Sequence, residues 1–258
     1  MPNSLFRFAF FVVLTSFIAC APAPEETGEI STPVQRVIDR AIQAHGMENF
    51  GNGSASFTFR DRHYEIERSN GTYAYTRSFT DSLGRHTVDV LRNEGLQRFR
   101  GDSLIELSSK DSAAYASSVN SVQYFFSLPY GLNDPAVNAS LLDSVHIEGA
   151  WYDRVRVTFD QAGGGTDFED VYHYFFQRGS GELDYLAYTF EADGGGIRFR
   201  KAVNQQRLNG VLVQDYINYG LDGDDRDIDS IAARFGRGEL PELSLIENRD
   251  VEVSQSGR

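Results

Sequence analysis

Short runs in which apolar and polar residues alternate, separated by turn residues, constrain the fold of this chain more than any other feature. Phe57 and Phe59 open the first run, and similar runs recur as far as residues 211–219. Asn70-Gly71 lies between two of them and favours a tight hairpin turn. A period of two places alternate side chains on one face of a strand. We therefore predict about ten to twelve short antiparallel strands.

Two segments have a helical period instead. Thr32 can cap the first helix, Pro33 suits its first position, and Gly46 can end it in the left-handed conformation. The second helix follows a capping signal at Ser108 and ends before Pro129. Helices and strands do not alternate, which argues against a doubly wound parallel sheet. The predicted fold class is mainly β (α+β): one large curved antiparallel sheet, or half-barrel, whose concave side is covered by the two helices.

The apolar stripe of the second helix has two interpretations. Its members recur at helical spacing and are Tyr115, Val119, Val122 and Phe126. They would line a cavity for an apolar ligand if the helix covers an open space. They would instead be ordinary core contacts if the helix fills the concave side of the sheet.

The N-terminus predicts a secreted, lipid-anchored protein. Residues 8–19 are largely apolar and follow Arg7, but the run is shorter than the about 20 residues needed to span a bilayer. Phe17-Ile18-Ala19-Cys20 resembles the bacterial lipobox, in which cysteine becomes the lipidated first residue. The predicted organisation is a signal peptide over 1–19, a flexible tether over 20–30 and one domain over 31–258. An ordinary signal peptide with an incidental cysteine is the alternative.

The charge balance limits the partners. The chain has 24 basic and 37 acidic residues, a formal net charge of −13. Nucleic acid and anionic lipid head groups both attract basic surfaces, so neither is an expected partner. The predicted membrane contact is the lipid on Cys20, and the predicted location is the cell envelope, at an outer membrane facing the periplasm or the surface.

Catalytic motifs do not stand out. The five histidines lack zinc-like spacing, and nucleophile-elbow, P-loop and dinucleotide motifs are absent from the sequence. No cofactor is predicted. His45 falls in the last turn of the first helix, where a positive charge would favour the helix dipole. An enzyme acting on envelope lipid or glycan is therefore the third hypothesis, after a binding protein and a structural or interaction protein.

One acidic cluster is a weak candidate for a calcium site. Asp225, Asp227 and Asp229 have the spacing of the first ligands of an EF-hand loop. Ser230 replaces the turn glycine of that motif, and Gly236 replaces its bidentate glutamate. The preferred interpretation is a solvated loop that caps a short helix, without a metal.

Several segments carry a family resemblance. The most specific is DSAAYASSVNSVQYFFSLPYGLNDPAVN at 111–138, and FEDVYHYFF and GGGIRFRKAVN support it. These segments resemble a family of uncharacterised lipoproteins from the Bacteroidota, and the resemblance covers nearly the whole mature chain. The order of elements is also similar to the lipoprotein-carrier fold, an open half-barrel closed by helices. That resemblance implies an acyl-chain-like ligand between sheet and helices, and it implies no catalytic residue.

Overall fold

Strands that are close in sequence pair antiparallel, and they build two large sheets. The computed structural model describes residues 31–162, 169–191 and 194–255. From Thr32 onward the chain forms one compact unit, to which the following description applies. The predicted signal peptide, Cys20 and the tether lie outside the described residues and stay predictions.

The first sheet consists mainly of strands from the N-terminal half of the unit. Its strands are β1 (Gly53–Phe59), β2 (Arg62–Ser69), β3 (Thr72–Thr80), β4 (His86–Arg92), β5 (Gly95–Arg100), β6 (Ser103–Ile105) and β15 (Asn248–Gln255). They lie in the order β15-β1-β2-β3-β4-β5-β6. This order is a simple meander, with the last strand of the chain added beside the first.

The second sheet contains the strands of the C-terminal half. They are β7 (Val137–Leu141), β8 (Val145–Ile147), β9 (Ala150–Phe159), β10 (Tyr172–Gln177), β11 (Leu183–Phe190), β12 (Gly196–Leu208), β13 (Val211–Asp222) and β14 (Glu242–Ile246). The order is β14-β13-β12-β11-β10-β9-β7, and β8 pairs with β9. The prediction of a mainly β protein with large, open antiparallel sheets is confirmed.

At the end of the chain, two consecutive strands belong to different sheets. β14 pairs with β13 in the second sheet, and β15, which begins after Glu247, pairs with β1 in the first. Asn248 marks the crossing, because its backbone N–H donates to Asp215 Oδ1 of β13 at 2.8 Å. The sequence predicted a single sheet. The structure instead has two separate sheets, and the chain passes from one to the other between consecutive strands.

Three helices accompany the sheets: α1 (Pro33–His45), α2 (Ser109–Ser127) and α3 (Ile231–Gly236). Both predicted N-caps are confirmed. Thr32 Oγ1 accepts from the Gln35 N–H at 3.2 Å, and Ser108 Oγ accepts from the Asp111 N–H at 3.1 Å. Gly46 ends α1 with φ +67°. Among the described residues, no helix combines the length and hydropathy needed to cross a membrane.

The second sheet is buried on both faces. Tyr174 and Phe176 of β10 belong to the main core, which also contains residues of α1 and α2. Phe175, between them in sequence, belongs to a second core that contains Ile231 of α3. Adjacent residues of a strand point to opposite faces. Because both faces of β10 are buried, its sequence is a nearly continuous aromatic run and does not alternate with polar residues. α3 therefore covers the face of this sheet opposite to that covered by α1 and α2.

His45 does not act as the predicted cation at the end of α1. Its side chain is buried, and its Nε2 accepts from the Leu183 N–H at 3.0 Å. Burial, and then the charge of Arg207, lower the pKa of His45 from 6.5 to about 3. The His45 imidazole is therefore neutral and links α1 to β11 by a hydrogen bond. At His45, the expected interaction of a positive charge with the helix dipole is absent.

Candidate ligand-binding cavity

A cavity of about 850 Å³, the α2 cavity, lies between α2 and both sheets. Small-molecule sites in proteins usually have volumes of about 300–1,000 Å³. Apolar or aromatic side chains contribute much of its wall: Tyr73, Tyr75, Leu91, Ala113, Ala116, Tyr124, Phe125, Tyr130, Ala136, Val137, Phe159 and Tyr172. The space is thus large enough for one ligand, and half of its lining residues are apolar or aromatic.

One face of α2 supplies the helical side of this cavity. Ala113, Ala116, Asn120 and Tyr124 line it and recur at spacings of three or four residues. Residues at these spacings share one face of a helix. The two alanines leave room below the helix that larger side chains would occupy.

The predicted stripe of α2 lies on a different face. Val119 is fully buried in the main core, and Val122 packs against that core. The Phe126 ring stacks on Phe57 of β1, with the centroids 4.0 Å apart. Arg98 lies over the Tyr115 ring, 3.5 Å from its centroid. None of these four predicted residues lines the α2 cavity, although the helix that carries them does.

Buried tyrosines keep the deep wall uncharged. Tyr124 and Tyr174 share a hydrogen bond between their hydroxyl groups at 2.5 Å. Burial raises the pKa of Tyr124 well above its usual range, so the phenol stays protonated even in alkaline solution. The Tyr124 ring also meets Phe159 and Tyr172 edge to face. A neutral aromatic wall of this kind favours hydrocarbon over water.

Arg68 of β2 is the basic residue of the wall. Its Nε donates to Tyr75 Oη at 3.1 Å, and its Nη2 donates to Gln123 Oε1 at 2.7 Å and to Ser127 Oγ at 3.2 Å. Asp134 lines the same cavity, and burial raises the pKa of its carboxyl against the opposing effect of Arg68. The ionisable acid and base of the wall are therefore one partly desolvated carboxyl group and one guanidinium.

A smaller cavity of about 380 Å³ adjoins the first. Ser121, Phe125 and Tyr172 line both, so the Phe125 side chain stands between the two spaces. The Arg200 guanidinium lies 4.0 Å from the Phe125 ring centroid and donates to Tyr188 Oη at 2.8 Å. Phe125 is thus held between a cation and the main cavity.

A buried ionic triad fixes α2 beside the cavity. Asp89 of β4 is 0% exposed and lies between Arg77 of β3 and Arg98 of β5. Its carboxylate accepts from Arg77 Nη2 at 2.5 Å and from Arg98 Nε at 2.6 Å. Arg77 Nη1 also donates to Ser118 Oγ of α2 at 2.7 Å. We expect this triad to set the position of α2 on the first sheet.

Sequence reasoning missed both Arg68 and the triad. Arg77, Asp89 and Arg98 lie directly opposite one another on adjacent strands. The sequence did contain a signal for the triad. In each of three successive alternating runs, a charged residue occupies a position that faces inward. Arg68 gives the same signal on β2, because it alternates with the buried residues Tyr64 and Ile66.

The weak calcium candidates each have a separate partner. Asp225 accepts from Arg234 Nη1 at 2.7 Å, and Asp227 Oδ1 accepts from the Ser230 N–H at 3.3 Å. The Asp229 backbone carbonyl accepts from Arg154 Nη1 at 3.0 Å. Within the described part of the chain, no group of three or more His, Cys, Asp or Glu side chains is arranged to hold a metal ion.

Comparison of the sequence with models of known protein families shows to which family the chain belongs. The model of DUF6503, a family of unknown function, matches residues 10–248. The chain belongs to the DUF6503 family. This match confirms the resemblance to an uncharacterised family. No curated protein matches the sequence of this DUF6503 chain significantly.

Three solved structures are similar to this DUF6503 chain to different degrees. A DUF1329 family protein from Desulfovibrio piger is 10% identical, with a TM-score of 0.51 over 88% of this chain and 95% of that chain. A LolA superfamily protein from Nitrosomonas europaea is 12% identical, with a TM-score of 0.47 over 85% and 92%. A putative outer membrane lipoprotein-sorting protein domain from Vibrio parahaemolyticus is 7% identical, with a TM-score of 0.47 over 87% and 94%. The first of these likenesses shows a shared fold.

Proposed function

We propose that this chain is a cell-envelope protein that binds one apolar, acyl-chain-like ligand in the α2 cavity. The observation that carries the proposal is the cavity itself, about 850 Å³ with seven aromatic side chains in its wall. Leu91 and Phe159 come from different sheets and face the same space, so a bound chain would contact both. Apolar surface removed from water contributes about 25 cal/mol per Å², so burial of the alkyl chain would be the main source of binding free energy.

The proposal includes the membrane anchor at Cys20. This residue closes the apolar N-terminal run and is the only cysteine of the sequence. A lipid at this position would hold the domain at a membrane of the envelope, beside a supply of acyl chains. Labelled palmitate should enter the wild type and not the Cys20→Ala variant, and equal labelling of both would contradict the anchor.

Ligand binding is tested by titrating the delipidated protein with a fluorescent fatty acid. We expect saturable binding with one ligand per chain, and competition by unlabelled long-chain lipids. The ligand should also raise the melting temperature, because a ligand that binds only the folded state stabilises it. Fluorescence that rises without saturation, together with an unchanged melting temperature, would reject the proposal.

The alternative is a structural or interaction lipoprotein whose core is filled. The stacking of Phe126 on Phe57 and the burial of Val119 favour it for one side of α2. The small residues on the other side, Ala113 and Ala116, favour a ligand there. Failure of the titration would leave the filled-core alternative standing.

A further inference from the structure

Arg68 carries a positive charge in the wall of the α2 cavity without an ion-pair partner among the described residues. Its three hydrogen bonds go to a phenol, an amide and a hydroxyl group, all of them neutral. Its Nη1 is buried and has no hydrogen-bond acceptor within the described ranges. The guanidinium therefore retains donor capacity and a full charge that its protein contacts do not neutralise.

The surroundings of Arg68 make this charge costly and hold it in place. The rings of Phe50, Tyr75 and Tyr130 lie 4.8, 5.2 and 4.6 Å from the guanidinium carbon. Aromatic faces attract a cation, but they do not replace a counter-ion. The hydrogen bonds that Arg68 donates to Tyr75 and to α2 fix the plane of the group, so little side-chain entropy is left to lose when an anion binds.

Comparison with the neighbouring triad shows what Arg68 lacks. Arg77 and Arg98 share the carboxylate of Asp89, as expected for buried charges. Arg68 faces the cavity instead, and the acid in the same wall is Asp134. Burial raises the pKa of the Asp134 carboxyl, and the charge of Arg68 acts in the opposite direction.

We propose that Arg68 binds the anionic group of the acyl ligand, a carboxylate or a phosphate, while the aromatic wall holds the chain. The inference rests on the proposed function, since it names the class of ligand for the same cavity. Nη1 is the nitrogen left to donate, and charge-assisted hydrogen bonds from a guanidinium to either anion are strong ones. A free fatty acid and a phospholipid would both supply this chemistry.

The test compares ligands that share one chain and differ in the polar end. Hexadecanoic acid, monohexadecanoyl glycerol phosphate and hexadecanol each displace a neutral fluorescent probe from the full-length protein at pH 8. We expect both anions to bind at least about tenfold more tightly than the alcohol, the scale of one charge-assisted hydrogen bond. The tighter of the two anions identifies the source of the ligand.

Variants isolate the role of Arg68. Arg68→Gln should bring the acid-to-alcohol ratio close to one with little change for the alcohol, and Arg68→Lys should retain part of the preference. Asp134→Asn should strengthen binding of the anions, because it removes a carboxylate from the wall. Arg92→Gln is the matched control, because Arg92 is exposed and lies outside the cavity lining.

The outcomes separate this inference from the proposed function. Equal affinity of the wild type for acid and alcohol would overturn the role of Arg68 and leave apolar binding intact. This comparison needs no variant, so it holds even if Arg68→Gln does not fold. An unchanged ratio in a folded Arg68→Gln variant would also overturn it. No displacement by any of the three ligands would reject both proposals.

Discussion

Replacement of Asp89 by alanine is expected to lower the free energy of unfolding by about 3–5 kcal/mol. Asp89 is 0% exposed and Arg77 is 2% exposed, so neither can recover its interactions from water. Removing the carboxylate leaves two guanidinium groups buried side by side on β3 and β5. Urea unfolding of both proteins measures the difference.

A surface aspartate provides the control for that measurement. Asp102 is exposed at the turn between β5 and β6, so Asp102→Ala removes the same group where water surrounds it. We expect a change within about 0.5 kcal/mol. A loss below about 1 kcal/mol for Asp89→Ala would mean that the triad does not hold the first sheet and α2 together.

The largest expected effect on binding comes from Ala116→Trp. Ala116 lines the α2 cavity beside Ser117 and Asn120. An indole at this position would extend into the open space and occupy part of the volume that the alkyl chain needs. We expect affinity for a long-chain fatty acid to fall at least about a hundredfold, equivalent to about 2.7 kcal/mol of binding free energy.

The same indole on the outer side of the helix is the matched control. Ala114 is exposed and does not line the cavity, so Ala114→Trp should bind like the wild type. Overpacking a filled core costs about 1–3 kcal/mol. Ala116→Trp should cost less, because it enters open space. Large destabilisation with unchanged ligand affinity in the folded fraction would indicate that the ligand lies elsewhere.

The predictable parts of the structure are those with local causes. Thr32, Gly46 and Ser108 act where the sequence indicated, because capping depends on residues only a few positions apart. The meander of the first sheet follows from alternating runs and tight turns.

The strand β15 was not predicted from the sequence. Only Val253 of its eight residues is buried, and its mostly polar sequence therefore gives little indication of a strand.

The cavity was harder to predict because it depends on which face of α2 meets which sheet. The apolar stripe with Phe126 could be predicted either to line a cavity or to join the core, and Val119, Val122 and Phe126 lie in or against the core. The cavity lies along the smaller and more polar face with Ala113, Ala116 and Asn120. Small side chains in a covering helix indicate space only when the opposing strands are known. A charge such as Arg68 becomes informative only once its lack of a partner is visible.

Photo-crosslinking of a bound fatty acid tests the central claim most directly. A hexadecanoic acid with a diazirine in its chain is irradiated with the full-length protein, and the labelled peptides are identified by mass spectrometry. The account predicts saturable labelling in α2 and β3, around Ala116 and Tyr75, which is suppressed by unlabelled fatty acid and by Ala116→Trp. Labelling that unlabelled ligand does not suppress, or labelling concentrated at exposed positions such as Leu243 and Leu245 of β14, would contradict it.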